Sequence, residues 1–339
     1  MKKQDRPVVI WLFSGCILIF IMVVVGGITR LTNSGLSMTD WHLVTDTFPP
    51  MSDERWNEAF EAYKQFPEYK LINSQKEFTL EDYKYIYFWE WFHRFIGRII
   101  GIVFIIPFIY FLIKKRLSRH TVKQSLILLG LGALQGFFGW FMVKSGLVDN
   151  PDVSHFRLAL HLVTAFITFA YTFWVALDLI YPDRRAPHAL RSLSRFALAI
   201  LLVQIIYGGF VAGLNAGLVH NHWPLMSDGK LIHESVWLER DSILLALTEG
   251  KSGVQFVHRT VAYFVVAAMV WLYVRSRRYA LSSALKNGLN LLIALVTAQF
   301  ILGVFTLLMG VPLWLGLLHQ VMAFILLSAM VFVLHQFSK

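Results

Sequence analysis

The sequence specifies an all-α integral membrane protein, with eight transmembrane helices arranged as two pseudo-symmetric four-helix bundles. Three observations predict this. First, of 339 residues 56% are hydrophobic and only 15% charged, the mean hydropathy is +0.57, and the apolar residues fall in runs long enough to cross a bilayer core. Second, Lys and Arg gather in alternate short connections. Third, the second half of the chain repeats the landmarks of the first in the same order.

Eight apolar runs occur, at roughly residues 8–29, 91–113, 123–144, 156–180, 193–214, 255–274, 286–309 and 312–336. The first follows "MKKQDR" and has the outline of a secretory signal. Its length and its lack of a small-residue cleavage site predict a retained helix instead. In the long connection 30–85, "SDERWNEAFEAYKQF" puts Trp56, Phe60 and Tyr63 on one face of an amphipathic helix. Thr79 and Asp82 have capping-box spacing, which predicts a short surface helix leading into the second span. That span opens with Glu90, His93, Arg94 and Arg98 in "EWFHRFIGR", ionisable groups that are expensive at membrane depth without partners. A second long connection, 215–253, precedes the sixth span.

The basic residues lie before or after the spans on one side: Lys2, Lys3 and Arg6, then "KKRLSRHTVK" (114–123), "DRRAPHALRSLSR" (183–195) and "RSRR" (275–278). The opposite connections carry acidic residues such as Asp53, Glu54, Asp152 and Glu234. This bias predicts that both termini face the cytoplasm, in a bacterial cytoplasmic membrane. The net charge of +10 is therefore a topology signal and does not indicate nucleic acid as a partner. The single cysteine, Cys16, lies within the first span, so no intramolecular disulfide can form.

The repeat is read by aligning "GGITRLTNSGLSMTDW" (26–41) with "GGFVAGLNAGLVHNHW" (208–223), where Asn33/Asn215, Gly35/Gly217, Leu36/Leu218 and Trp41/Trp223 fall in register. "HRFIGR" (93–98) then pairs with "HRTVAY" (258–263), "QGFFGWF" (135–141) with "QFILGVF" (299–305), and "LALHLVTAF" (158–166) with "LGLLHQVMAF" (315–324). This is a tandem duplication of a four-helix unit, dividing the chain into an N-terminal half, 1–182, and a C-terminal half, 183–339.

The repeat places one histidine on each even-numbered span: His93, His161, His258 and His319. All four fall in the first turns of helices running inward, hence at one depth in the outer leaflet. Each half then offers a bis-imidazole site. Zinc ordinarily takes a third or fourth protein ligand, whereas two axial imidazoles alone suit a heme, whose porphyrin supplies the equatorial nitrogens. Glycines such as Gly26, Gly97, Gly139, Gly208 and Gly303 allow close approach of helices or of a flat macrocycle. Arg94 and Arg259, next to their histidines, could pair with propionates. Arg98 is read equally well as snorkelling to headgroups.

The motifs "GGITRLTNSGLSMTDW", "EWFHRFIGR", "RLALHL", "AGLNAGLVHNHWPLM", "QFVHRTVAY" and "LLHQVMAF" resemble those of heme A synthase over nearly the whole chain. The resemblance implies oxidation of the C8 methyl group of heme O to the formyl group of heme A for cytochrome oxidase. It implies heme b as cofactor, held through His258 and His319, with the substrate heme received near His93 and His161. Glu90 matches the family's essential glutamate. An electron donor of unidentified nature is needed, and heme O synthase and cytochrome oxidase assembly factors are candidate partners. There is no cysteine between Arg30 and Glu90, so the chain resembles the cysteine-free, mitochondrial and alphaproteobacterial type. His155 receives no role.

Converting a methyl to a formyl group removes four electrons, so redox equivalents must reach the site. A bis-imidazole heme is coordinatively saturated and suits electron transfer. That fits the C-terminal half, where the position matching Glu90 is Gln255. A carboxylate three residues before His93 lies on the same helix face, where it can act as a base or stabilise positive charge on the porphyrin edge. Ion pairing with Arg94 is the purely structural alternative for Glu90. Two rival functions are a diheme b-type electron-transfer protein, which would not need the Glu90/Gln255 asymmetry, and a heme transporter or chaperone, which would leave heme side chains unchanged.

Overall fold

The computed structural model describes residues 5–38, 47–144, 152–182 and 188–337. Lys2, Lys3, Trp41 and residues 183–187 of the expected junction lie outside them. Among the described residues the secondary structure is helical, without strands. Eight helices among those residues are long and apolar enough to cross a membrane.

In chain order the helices are α1 (Arg6–Leu31), α2 (Asp53–Tyr63), α3 (Pro67–Leu71), α4 (Leu80–Ile113), α5 (Arg119–Lys144), α6 (His155–Ile180), α7 (His188–Gly213), α8 (Ser235–Leu238), α9 (Ile243–Glu249), α10 (Lys251–Ser276), α11 (Ser283–Leu308) and α12 (Leu313–Gln336). The expected spans are α1, α4, α5, α6, α7, α10, α11 and α12. Their lipid-facing sides are read directly: Ile102, Ile106, Ile109 and Ile113 line an exposed apolar stripe on α4, as hydrocarbon requires.

The region before the second span differs from expectation. The capping box is present, with Asp82 N donating to Thr79 Oγ1 at 3.3 Å and Thr79 N to Asp82 Oδ2 at 2.8 Å. But the helix it starts runs unbroken for 34 residues to Ile113. The surface helix and the span are one element, because no Gly or Pro interrupts Leu80 to Trp91 and the charged first turns can stay in water. The amphipathic α2 packs on this extension. Ser52 caps it, accepting from Arg55 N at 3.3 Å, and its aromatic face meets α4 through Tyr63–Tyr83 (5.0 Å between centroids) and Trp56–Tyr87 (5.1 Å).

The same set of pairings recurs in each half of the chain. The helix α1 packs on α4 and α6, and α5 on α4 and α6; α7 packs on α10 and α12, and α11 on α10 and α12. The halves meet where α6 touches α7 and α12 touches both α1 and α6. In hydrocarbon, helix association relies on close van der Waals packing of small residues and on interhelical hydrogen bonds, and the seam uses both. A Cβ on Gly209 would stand 3.0 Å from Ala159 Cβ, so the α6 and α7 backbones are nearly in contact. Phe324 of α12 lies 5.3 Å from Phe20, 5.4 Å from Phe166 and 4.1 Å from Phe169; Phe166 and Phe324 are matching positions of the sequence repeat. At the loop-rich end, Arg30 donates Nη1 to Asn33 Oδ1 (3.1 Å) and Nη2 to Asn215 Oδ1 (3.3 Å) and to the Ala212 carbonyl (2.7 Å). Those two asparagines are also repeat-equivalent, and both adopt left-handed backbone, with φ of 51° and 52°.

Candidate functional site

His161, His258 and His319 stand six, seven and six residues after the first residues of α6, α10 and α12, about 10 Å from the helix starts at ~1.5 Å per residue. His93 lies thirteen residues into α4, because that helix carries its extra turns beyond the span. All four rings are half-buried.

Each ring rests on a glycine of the neighbouring helix. A Cβ built on Gly26 of α1 would lie 3.2 Å from His93 Nε2. Built on Gly139, Gly208 and Gly303, it would lie 3.1, 3.4 and 2.9 Å from Cε1 of His161, His258 and His319. These four glycines therefore cradle imidazoles of neighbouring helices, the close helix approach that was one of the two readings the sequence offered. Gly27 and Gly209 instead admit side chains from across the seam, Gln320 and Ala159.

The rings of His258 and His319 face each other with centroids 6.5 Å apart and planes at 77°. Two imidazoles bonded to one metal at ~2.0 Å, with ring centres ~1.1 Å further back, would place the centroids ~6 Å apart. The separation thus fits a single six-coordinate iron between them. Two further observations bear on the fit. Nδ1 of both rings is buried without a hydrogen-bond partner among the described residues, and no group of three or more His, Cys, Asp or Glu side chains able to hold a metal ion occurs among those residues. The donor set is two imidazoles and nothing else, which suits a metal that brings its own equatorial ligands.

Glu90, 3% exposed, is fully engaged. Its Oε2 accepts from Ser37 N (2.7 Å), Ser37 Oγ (2.8 Å) and Met38 N (2.9 Å), and its Oε1 accepts from Arg94 Nη2 (2.5 Å). The carboxylate pins residues 37–38 to α4 one turn from His93. Arg94, read from sequence as a propionate partner, has that Nη2 committed to Glu90. Arg259 donates Nη2 to the carbonyls of Pro224 and Leu225, both at 3.1 Å, while its Nη1 is buried without a partner among the described residues. Gln255 is buried and directs Nε2 at the His220 carbonyl, 3.4 Å away.

Sequence reasoning missed two sets of residues. Gln135, Gln204 and Gln299 each contact the ring of a site histidine; the signal was a Gln four residues before three of the four cradling glycines, in "QGFFG", "QIIYG" and "QFILG". Above the C-terminal site, His220 is buried, with Nδ1 2.9 Å from Ser227 Oγ and Nε2 3.0 Å from Ser252 Oγ. Burial, reinforced by His233 and Arg259, lowers its pKa. Ser252 Oγ in turn donates to Glu239 Oε1 at 2.5 Å. Only the fold gathers these residues. His155 donates Nε2–H to the Thr248 carbonyl at 2.9 Å, a tie between α6 and α9.

Residues 9–331 match the family model COX15-CtaA, described as cytochrome oxidase assembly protein. The chain is 67% identical over 341 residues to a protein of Flavobacterium johnsoniae named Heme A synthase, with the whole of both chains covered. It is 68% identical over 338 residues to the Heme A synthase of Flavobacterium psychrophilum, covering 99% of this chain and all of that one. Identity to the Heme A synthase of Nitrosospira multiformis is 44% over 341 residues, covering 99% and 94%. With the family match and these relatives spanning nearly its entire length, the chain belongs to the COX15-CtaA family of cytochrome oxidase assembly proteins.

Proposed function

We propose that the chain is a heme A synthase, a multi-pass membrane oxidoreductase that converts the C8 methyl group of heme O to the formyl group of heme A. The observation that carries the reading is the opposed pair His258 and His319, with ring centroids 6.5 Å apart and no third His, Cys, Asp or Glu donor among the described residues, in a chain whose relatives bear the name Heme A synthase. The halves 1–182 and 183–339 act as a substrate unit and an electron-transfer unit, with both termini in the cytoplasm and the loop-rich face outward. The recurring helix pairings and the meeting of Phe166 with Phe324 support that division.

In the C-terminal half, His258 and His319 hold heme b. When bound there, it would supply reversible one-electron chemistry. Gly208 and Gly303 seat the two rings, and the Nη1 of Arg259, buried without a partner among the described residues, supports a role for Arg259 as a propionate partner. In the N-terminal half, His93 and His161 bind the iron of the substrate heme O. Each methyl-to-formyl conversion inserts one oxygen atom and removes four electrons from the substrate carbon, so an electron partner outside this chain is required.

Glu90 is one turn from His93 on the same helix face. Three donors already occupy Oε2, which favours a fixed negative charge over a mobile base: a preorganised carboxylate stabilises positive charge developing at the porphyrin edge. The test is to extract hemes from cells that make heme O but no heme A, with and without this chain. Heme A in the extract only when the chain is present supports the enzyme. Heme O unchanged in both overturns it in favour of a carrier or an electron-transfer protein.

A further inference from the structure

The connection between α7 and α10 leaves large apolar side chains uncovered outside the spans. Leu238 is 76% exposed, Ile243 66% and Leu244 72%, and Trp237 beside them is exposed as well. The backbone that carries them is firmly held. Ser242 caps α9, accepting from Leu245 N at 3.2 Å. Glu239 turns inward to accept from Ser252 N at 3.1 Å, and Arg240 donates Nη2 to the Glu249 carbonyl at 3.1 Å. Val236 of α8 and Ala246 of α9 are fully buried. The segment therefore presents its apolar edge in a fixed direction, and large apolar residues exposed together on ordered backbone mark a surface that something covers.

Two contacts set the depth of this edge. Only Gly250 separates α9 from α10, and the two helices meet backbone to backbone. A Cβ on Gly250 would stand 2.6 Å from the Ala246 carbonyl oxygen, and one on Gly253 would collide with the same atom. So α9 lies beside the first turn of α10, roughly 8–10 Å outward of His258 at ~1.5 Å per residue. Trp237 reaches further in, its ring edge-on to Phe256 of α10 at 5.9 Å. Tyr263, Phe264 and Trp271 follow Phe256 at two-turn and four-turn spacing on one face of α10, and all three are exposed, as a lipid-facing stripe requires. On the other flank, the Thr248 carbonyl accepts from His155 Nε2 at 2.9 Å, next to the exposed Phe156 in the first turn of α6.

We propose that α8 and α9 form an interfacial anchor, which sinks Trp237, Leu238, Ile243 and Leu244 into the phospholipid leaflet on the loop-rich side of the membrane. Lipid is favoured over a protein partner because the patch runs on, through Phe256, into span surface that a soluble partner cannot reach. Tryptophan is at home at that level, and Arg240, between the apolar pairs, can keep its head among the headgroups. The anchor also joins the polar cluster above the C-terminal site to the bilayer, since Glu239 holds Ser252, whose Oγ lies 3.0 Å from His220 Nε2.

The test uses the full-length protein in nanodiscs of phosphatidylcholine and phosphatidylglycerol. Cys16, the single cysteine, is removed as Cys16→Ala, and Leu238→Cys, Ile243→Cys and Leu244→Cys each carry a nitroxide. Collisions with oxygen, which partitions into lipid, are compared with collisions with a water-soluble nickel chelate. Ile106→Cys, on the exposed apolar stripe of α4, is the lipid reference, and Glu58→Cys, exposed on α2, the aqueous one. The labels on α8 and α9 should favour oxygen over nickel, on the side of the Ile106 reference, at a depth of about 5–10 Å. Nickel collisions as frequent as at Glu58 would put the edge in water and overturn the anchor. Loss of both kinds of collision, with an immobilised spectrum, would mean that a second copy or another protein covers the edge, and would overturn it equally. Each site decides by itself, so a variant that fails to fold leaves the test intact.

Discussion

Glu90→Gln separates charge from shape at the centre of the N-terminal site. Glutamine fits the same volume, but one of its two terminal atoms becomes an NH2 group. Facing the three donors from Ser37 and Met38 would set donor against donor three times, so the amide oxygen should keep that side and the nitrogen turn to Arg94. The Arg94 guanidinium, 11% exposed at its side chain, then loses its only carboxylate within ion-pair distance among the described residues. Breaking a buried pair from one side typically costs ~3–5 kcal/mol, felt as loosening of residues 37–38 from α4. Arg94→Gln breaks the same pair from the other side yet keeps the carboxylate with its three donors, and serves as the control. If the charge acts on the substrate, Glu90→Gln should lower heme A formation by a further ~10²–10⁴-fold beyond Arg94→Gln. The assay is heme A formed per folded, heme-b-loaded protein, with thermal stability measured on the same samples. Equal losses of product in the two variants, in proportion to their stability, would show that Glu90 only holds the loop.

Gly303→Ala would drive a methyl to 2.9 Å from His319 Cε1; overpacking of ~1–3 kcal/mol and a displaced ligand should reduce low-spin heme b, whereas Gly132→Ala, with nothing within 4 Å, should leave the spectrum unchanged. Glu68 sits buried beside Tyr63, Asn73 and Lys76, and burial, with a smaller push from Glu90, raises its carboxyl to about 7 from 4.5. A raised folded-state pKa means the contribution is complete below about 4.5 and lost as pH climbs through about 7, a swing on the order of 3 kcal/mol. Protection factors across α2 and α3, taken against intrinsic exchange at each pH, should therefore fall from pH 5 to 8 (a window of ~3 units) in the native protein and lose that dependence in Glu68→Gln; the same slope in both would place the titration elsewhere.

The fold was legible because a bilayer demands long apolar runs, and those runs are hard to misread. The unbroken α4 was not, since Glu81, Asp82 and Lys84 look like a surface segment until the helix is seen to project beyond the span. The four histidines could be found because duplication wrote each motif twice. The glycines beside them fit either close helix approach or a flat macrocycle in the sequence; that each one meets an imidazole is a contact between helices that no local pattern announces. Gln204 hid inside "LLVQIIYGG", where one polar residue in an apolar run suggests nothing by itself. The Glu90–Arg94 pair followed from i,i+4 spacing, but the three donors from Ser37 and Met38 come from more than fifty residues away.

The heme content of purified variants tests most directly whether the two halves hold different hemes through different histidines. Protein isolated from cells producing heme O should carry heme b together with heme O or heme A. His258→Ala should lose heme b and keep the substrate heme, and His93→Ala should do the reverse, with both variants monodisperse. Heme b persisting in His258→Ala, or each variant losing both hemes in the same proportion while still folded, would contradict a division of labour between the halves.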